Sequence, residues 1–272
     1  MPTVQKIAHY GWRRDRLDPR DRIYNLEQRI EVGAAVPAEF DISGEMPPIY
    51  DQGQLGSCTA NATAALLQHM QLKQGEPEGA NVPSRLFIYY EERRIEGQPL
   101  TNDTGAEVRD GIKVLATEGS PPESEWPYSD ANPGRFQEQP PQSVYDDAKK
   151  YEALEYQRIL IGQPGAPMRT AIHNHFAIAF GFPVPAQFED ANWNPATSYL
   201  PLPDPKAQFI GGHAVVVVGY DFTLQRFEVP VFKIRNSWSV SWGDQGHFYM
   251  DYRWFDPWRQ LADDLWVITR VE

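Results

Sequence analysis

The sequence predicts an α+β protein, in which a helical half is followed by a β-rich half. Three helical patterns precede about residue 130, whereas apolar runs typical of strands dominate from about residue 176 onward. Prolines cluster in residues 133–141 and 183–205, between and within the two halves. Segregation of helices and strands along a chain of 272 residues is the α+β pattern, and the length suits one large domain or two small ones.

The helical half contains three candidate helices. Residues 58–75 carry an apolar stripe at helical spacing and end at Gly75, a typical stop signal. Residues 84–96 and 105–118 are the second and third candidates. Gly119 and the two prolines that follow shortly after it end the third.

The β-rich half contains five predicted strands. Residues 176–184 alternate Phe and Ile with Ala and Gly, and residues 213–220 form the continuous apolar run of a buried strand. The other three predicted strands cover residues 231–235, 247–252 and 265–271.

Composition limits the partners. The formal net charge is −12, which argues against nucleic acids and anionic membranes as partners, although solubility is the simpler explanation of the charge. A single cysteine rules out an internal disulfide and fits a reducing compartment. Residues 1–11 lack the apolar run of a signal peptide, so the expected location is the cytoplasm, or outside the cell after export without a cleaved signal peptide.

Residues 1–35 differ from the rest of the chain because they mix charges of both signs with little apolar periodicity. One interpretation is an extension that lies on the main body, anchored by Tyr10, Trp12 and Tyr24; the other is a disordered tail. The aromatic and Arg content would suit docking on an acidic body. This suggests the hypothesis that the extension crosses and gates a cleft.

Three short motifs carry the side chains of interest. Cys58 follows a Gly-rich loop at the start of a predicted helix, where the positive end of the helix stabilises a thiolate. His213 opens a hydrophobic strand after two glycines. Asn236 precedes Ser237 and Trp238, and its side-chain oxygen can orient an imidazole. Taken alone, each motif also fits a purely structural role, as a buried cysteine, a core histidine and a turn.

Together, the motifs resemble the papain-like cysteine peptidases. Gln52, Cys58, His213 and Asn236 follow the order of that family, with separations slightly longer than the roughly 130–150 residues typical of it. Further similarities are residues 36–41, which resemble the start of a mature enzyme, and residues 126–128, which resemble the family's Tyr-Pro-Tyr. Gly119, Trp238 and Trp242 also match the family, so the resemblance covers about residues 36–272.

The resemblance implies a two-domain fold with an active-site cleft between a helical left domain and a β-barrel-like right domain. The predicted boundaries are residues 1–35 for the extension, 36–156 for the helical domain with Cys58, and 157–272 for the β-rich domain with His213 and Asn236. Two departures stand out in the nucleophile motif. Leu55 replaces a disulfide-forming cysteine, and Thr59 replaces an aromatic residue. The family's long helical propeptide is also missing.

The implied reaction is peptide-bond hydrolysis through a Cys58 thioester. His213 is the implied base and acid, Asn236 orients it, and the Gln52 side chain joins the Cys58 backbone N–H in the oxyanion hole. The implied substrate-binding residues are Gly105, Ala106, Ala179, Gly211, Gly212 and Trp238. Asp263 and Asp264 are interpreted as solvent-facing charges, with the floor of a substrate pocket as the alternative.

Two other functions remain open at this point. The same thioester chemistry serves a ligase or cyclase that transfers the acyl group to an amine, and the same fold serves a non-catalytic peptide-binding module. No cofactor and no metal are predicted; His173 and His175 fit a turn between helix and strand better than a metal site. The expected partner is a peptide or protein substrate. The sequence leaves the oligomeric state open, with a monomer as the default.

Overall fold

The computed structural model describes residues 10–16, 18–24, 36–75, 82–160, 166–189, 198–259 and 261–271. Residues 1–9, 17 and 25–35 lie outside it, so the extension is described only in part. Within the described residues, no helix is both long enough and apolar enough to cross a membrane.

The helices agree closely with the sequence prediction. The first three are α1 (Cys58–Gln74), α2 (Arg85–Ile95) and α3 (Val108–Thr117), and two short helices follow, α4 (Gln142–Ala148) and α5 (Ala166–His173). Gly75 ends α1 in the left-handed conformation at φ 97°, which a residue with a side chain rarely adopts. Ser84 caps α2 by accepting a hydrogen bond from the backbone N–H of Phe87.

The strands in chain order are β1 (Trp12–Arg13), β2 (Glu39–Asp41), β3 (Ala106–Glu107), β4 (Ala153–Ile159), β5 (Ile178–Pro185), β6 (Tyr199–Leu200), β7 (Phe209–Asp221), β8 (Val231–Arg235), β9 (His247–Asp251) and β10 (Asp263–Val271). Eight of them form one sheet in the order β4-β10-β5-β7-β8-β9-β6, with β2 paired to β7. Strands β1 and β3 form a separate parallel pair.

Helix α1 lies at the centre of the core. It is buried along almost its whole length and packs against α2 and α3 on one side and against β7 and β10 on the other. Because α1 bridges the helices and the sheet, its first residue, Cys58, lies where the two parts meet. The result is the predicted α+β fold.

The predicted boundary after residue 156 falls inside β4. Strand β2, from the predicted helical domain, joins the sheet by pairing with β7. The chain therefore crosses from one part to the other more than once.

Candidate active site

Cys58 begins α1, and its side chain is fully buried. Backbone hydrogen bonds from Ala214, Gly11 and Thr59 reach its sulfur. The contact with Ala214 places the sulfur beside the residue that follows His213 on β7. Helix α1 and strand β7 therefore bring the two ends of the predicted nucleophile–base pair together.

His213 is held by Asn236. Its Nε2 lies 2.8 Å from Oδ1 of Asn236, and both residues are buried. The ring of Trp238 stacks on the imidazole with centroids 4.8 Å apart, which shields this hydrogen bond from water. Nδ1 of His213 is buried and has no hydrogen-bond partner among the described residues, so this nitrogen remains available to a thiol.

Gln52 is fixed from two sides. Its amide nitrogen donates to the carbonyl of Leu55 at 2.9 Å, and its side-chain oxygen accepts from the Ser237 hydroxyl at 2.7 Å. The backbone N–H of Ser237 in turn donates to Oδ1 of Asn236 at 2.8 Å. One polar network thus connects Gln52, Asn236 and His213.

Residues 10–13 of the extension lie directly on this site. Ala106 donates its backbone N–H to the carbonyl of Gly11 at 2.7 Å, and β1 pairs with β3 in parallel. A methyl group at position 11 would lie 1.6 Å from the carbonyl oxygen of Gly56, so only glycine fits here. The backbone of the extension therefore occupies the space beside Cys58.

Two side chains flank Gly11. Tyr10 lies edge-on to the ring of His213, with centroids 6.0 Å apart, and its hydroxyl donates to Glu189 at 2.5 Å. Trp12 lies on the other side, against Gly181 and Gly212, and its indole N–H donates to Asp264 at 3.2 Å. The extension covers Cys58 and His213, both of which are 0% exposed.

This burial favours the uncharged forms of both side chains. It raises the pKa of the Cys58 thiol to about 12, against the lowering effect of the backbone hydrogen bonds. It lowers the pKa of His213 to about 4, against the raising effect of Asn236. The position of Cys58 at the start of a helix predicted a thiolate, but with the extension in place a neutral thiol and a neutral imidazole are favoured because neither group is in contact with water.

Most of the predicted substrate-binding residues lie around the extension. Gly105 and Ala106 contact Gly11, Gly211 contacts Tyr10, and Gly212 contacts Trp12. Trp238 stacks on His213. Ala179 is buried in β5, opposite Val216 of β7 and Trp266 of β10.

Sequence reasoning missed Gly181, which forms the wall of the Trp12 pocket. The signal was present, since a glycine between Phe180 and Phe182 in an apolar strand marks a close approach by another group. The interpretation of Asp264 as a solvent-facing charge was wrong: this carboxyl is 0% exposed and lies at the end of the indole pocket.

The two departures in the nucleophile motif have structural explanations. Leu55 is fully buried and replaces a disulfide partner by apolar packing. Thr59 points into the helical part, where its hydroxyl donates to the buried carboxyl of Glu92 at 2.8 Å. A polar pair thus occupies the interior next to the nucleophile.

Carboxyl groups also gather beside Arg13, and sequence reasoning did not single them out. Oxygens of Glu96, Glu107 and Asp110 lie within 4.8 Å of one another. The guanidinium of Arg13 is bound to Glu96 in this structure. The group is thus partly neutralised by the extension.

Comparisons with known proteins agree with this geometry. The family model for the papain family cysteine proteases matches residues 36–255. Xylellain, a cysteine protease from Xylella fastidiosa, is 40% identical in sequence, with a TM-score of 0.86 and 98% of each chain covered. Procathepsin B from Trypanosoma congolense shares the fold, with a TM-score of 0.70 at 15% identity, over 97% of this chain and 86% of its own.

Two curated protein sequences are also similar to this chain. An uncharacterized peptidase C1-like protein of Acanthamoeba polyphaga mimivirus is 37% identical over 227 residues, which is 81% of this chain and 69% of that protein. A senescence-specific cysteine protease of Arabidopsis thaliana is 24% identical over 81% of this chain and 58% of its own. The chain therefore belongs to the papain family of cysteine proteases and is a hydrolase of that family.

Proposed function

We propose that the protein hydrolyses peptide bonds with Cys58 as nucleophile, His213 as base and acid, Asn236 as the residue that orients His213, and Gln52 in the oxyanion hole. The observation that carries this assignment is the hydrogen bond from His213 Nε2 to Asn236. It fixes the ring and leaves Nδ1 without a partner, beside the strand residue whose N–H reaches the Cys58 sulfur.

The reaction follows from these positions. Nδ1 takes the thiol proton, and the sulfur attacks the carbonyl carbon of the substrate. The oxyanion that forms accepts hydrogen bonds from the Cys58 backbone N–H and the Gln52 amide. His213 then protonates the leaving amine, so the C–N bond breaks and a thioester remains. Water, deprotonated by His213, releases the acid and restores the thiol.

We further propose that residues 10–13 keep this site latent. Gly11 fills the space next to Cys58, Tyr10 covers His213, and burial favours the uncharged forms of both side chains. Substrate can reach the nucleophile only after these residues move away. Their release is therefore part of the activity cycle.

A single substitution tests both proposals in the full-length chain. In Gly11→Ala, the added methyl group clashes with the Gly56 carbonyl and should displace the extension. We expect labelling of Cys58 by a peptide epoxide and turnover of a mixed peptide library to rise at least about tenfold. Gly44→Ala is the matched control, because a methyl group there meets no atom within 4 Å.

The outcomes separate the possibilities. Unchanged labelling and turnover in Gly11→Ala would contradict the latency proposal. A folded Gly11→Ala protein whose Ala106 amide has lost its protection from exchange, and whose Cys58 still resists the epoxide at neutral pH, would contradict the peptidase assignment. Products capped by added amines in place of water would indicate the transferase that uses the same thioester. Cys58→Ala in the same background should abolish turnover.

A further inference from the structure

We propose that the open cleft selects peptides in which a basic residue is followed by tryptophan, and that the bond cut lies after the next residue. This inference rests on the proposed peptidase activity. It is based on how two side chains of the extension, Trp12 and Arg13, are held, and on the direction in which the extension runs.

The first step is the direction of the chain. In the proposed reaction His213 protonates the leaving amine, so the leaving part of a substrate lies on the His213 side of Cys58. Tyr10 lies on that side, and Trp12 lies on the other. The extension thus runs from the leaving side to the acyl side. A productive peptide runs the opposite way, and because β1 is parallel to β3, the peptide pairs with β3 in antiparallel orientation.

The second step is the indole pocket. Gly181 and Gly212 leave its walls without side chains, and an added methyl group at Gly181 would lie 1.9 Å from the indole ring of Trp12. Asp264 accepts the indole N–H at the end of the pocket. The shape therefore matches a flat bicyclic ring that carries a donor at its edge.

Charge distinguishes tryptophan from a basic side chain in this pocket. The second oxygen of Asp264 already accepts from the Arg158 guanidinium at 2.8 Å. Arg158 stays in place when the extension leaves, since it belongs to β4. The carboxylate is thus already paired with one cation, and a neutral N–H is a better partner than a second cation.

The third step is the acidic pocket next to it. Arg13 is bound by the carboxylate of Glu96, and its guanidinium also lies 3.5 Å from the carbonyl of Gly105. With the extension in place, the side chains of Glu96 and Glu107 are only 3% and 8% exposed. Arg16 of the extension donates its backbone N–H to Glu107 at 3.1 Å.

Release of the extension removes these partners together. Glu96 loses Arg13, and Glu107 loses the N–H and the nearby guanidinium of Arg16. Fully buried Glu92 lies beside the pocket, but burial raises its pKa and favours its uncharged form, so the attraction comes from Glu96 and Glu107. Carboxylates that have lost these cations attract a basic side chain of the substrate in their place.

The two pockets and the reversed direction give the order of residues. Read along a productive peptide, the basic side chain in the Glu96 pocket comes first and the indole in the Asp264 pocket comes second. The third residue takes the position of Gly11 beside Cys58, and its carbonyl carbon is attacked. The preferred substrates are therefore of the form basic–Trp–any residue, with cleavage after the third.

Matched fluorogenic tripeptides on the full-length Gly11→Ala protein test this order. We expect acetyl-Lys-Trp-Gly to exceed acetyl-Glu-Trp-Gly in kcat/KM by at least about tenfold, since the carboxylates of Glu96 and Glu107 attract Lys and repel Glu. We expect it to exceed acetyl-Lys-Phe-Gly by about tenfold, since Phe leaves Asp264 without a donor. Faster cleavage of acetyl-Lys-Arg-Gly than of acetyl-Lys-Trp-Gly would overturn the indole assignment.

A second pair of variants tests the acidic pocket itself. In the same background, Glu96→Gln should bring the ratio of kcat/KM for acetyl-Lys-Trp-Gly to that for acetyl-Glu-Trp-Gly close to one. Glu155→Gln, which removes an exposed carboxylate of β4, should leave the preference unchanged. Cleavage of all the peptides at similar rates would overturn the inference and leave the peptidase assignment intact. No cleavage, together with an unlabelled Cys58, would contradict the peptidase assignment itself.

Discussion

The backbone N–H of Asp15 donates to Oδ2 of Asp264 at 2.8 Å, which places two buried carboxyl groups side by side. One belongs to the extension and the other to β10. Arg158 lies between them, 3.5 Å from Asp15 and 2.8 Å from Asp264. Trp266 donates its indole N–H to Asp15, and Arg109 donates its backbone N–H to the same carboxyl. The contact between Asp15 and Asp264 thus joins the extension to the body of the protein.

The first prediction concerns pH. Burial raises the pKa of both carboxyls, and the charge of Asp264 raises that of Asp15 further while the charge of Asp263 raises that of Asp264, in spite of Arg158. A carboxyl whose pKa is raised on docking stabilises the docked state at low pH, and this stabilisation is lost as the pH rises through the raised pKa. The extension should therefore open more easily as pH rises from about 5 to about 8.

Hydrogen exchange measures this opening. The amide of Ala106 donates to Gly11, so its protection, corrected for the intrinsic exchange rate, should fall at least about tenfold over that range. In Asp15→Asn the fall should be much smaller. Protection that increases with pH would contradict the prediction.

The second prediction concerns Arg158. This side chain is 9% exposed and pairs with carboxyls of Asp15, Asp21 and Asp264. Arg158→Gln leaves these buried groups without their cation and should lower the free energy of unfolding by about 3 kcal/mol. Chemical denaturation measures the change. Arg20→Gln removes an exposed ion pair with Asp18 and should cause no measurable change. Equal stability of the two variants would show that Arg158 is dispensable.

The third prediction concerns Glu92. Burial raises its pKa well above the ordinary value, so we expect the carboxyl to be protonated at neutral pH. Its stabilising contribution is present at low pH and is lost as pH rises through that raised pKa. Glu92→Gln keeps an acceptor for Thr59 and should make the protein less sensitive to alkaline unfolding, whereas Glu92→Ala should cost about 2 kcal/mol.

Thermal unfolding at a series of pH values distinguishes these variants. Glu138→Gln, at an exposed position, should follow the parent chain at every pH. If Glu92→Gln loses stability at high pH as steeply as the parent chain, another group is responsible for the alkaline transition.

The fourth prediction concerns Asn236. Its side-chain oxygen accepts the hydrogen bond from Nε2 that orients His213. In the Gly11→Ala background, Asn236→Ala should lower kcat about 10- to 100-fold and leave KM little changed, because the base loses its orientation. Steady-state kinetics over a range of pH is the measurement. Asn102→Ala, at an exposed site, is the control, and an equal effect there would refute a specific role for Asn236.

The sequence predicted the elements whose pattern is local. Helix α1 ends at the glycine that sequence reasoning chose, and β8 has the predicted bounds, because an apolar stripe and a buried run are readable without tertiary contacts. Strand β4 was missed because it lies at one end of the sheet, where only three of its seven residues are buried and the apolar pattern is weak.

The pocket residues show a different limit. Ala179 and Gly181 lie on the same face of β5, two positions apart, so both satisfy a strand pattern. Only the paired strands and Trp12 determine which of the two lines the pocket. The burial of Asp264 could not be predicted from the sequence either, because it depends on Asp15 and Arg158, which are far away in the chain.

The reversed run of the extension has a consequence for how latency depends on dilution. A separate inhibitor is lost when a sample is diluted, whereas residues 10–13 are joined to the catalytic body by the chain itself, so their effective concentration is constant. Because these residues run in the direction opposite to a substrate, their peptide bonds do not present a leaving amine to His213. The extension is therefore not cleaved when it covers the site. Under the proposed latency, opening and closing are therefore unimolecular and independent of protein concentration.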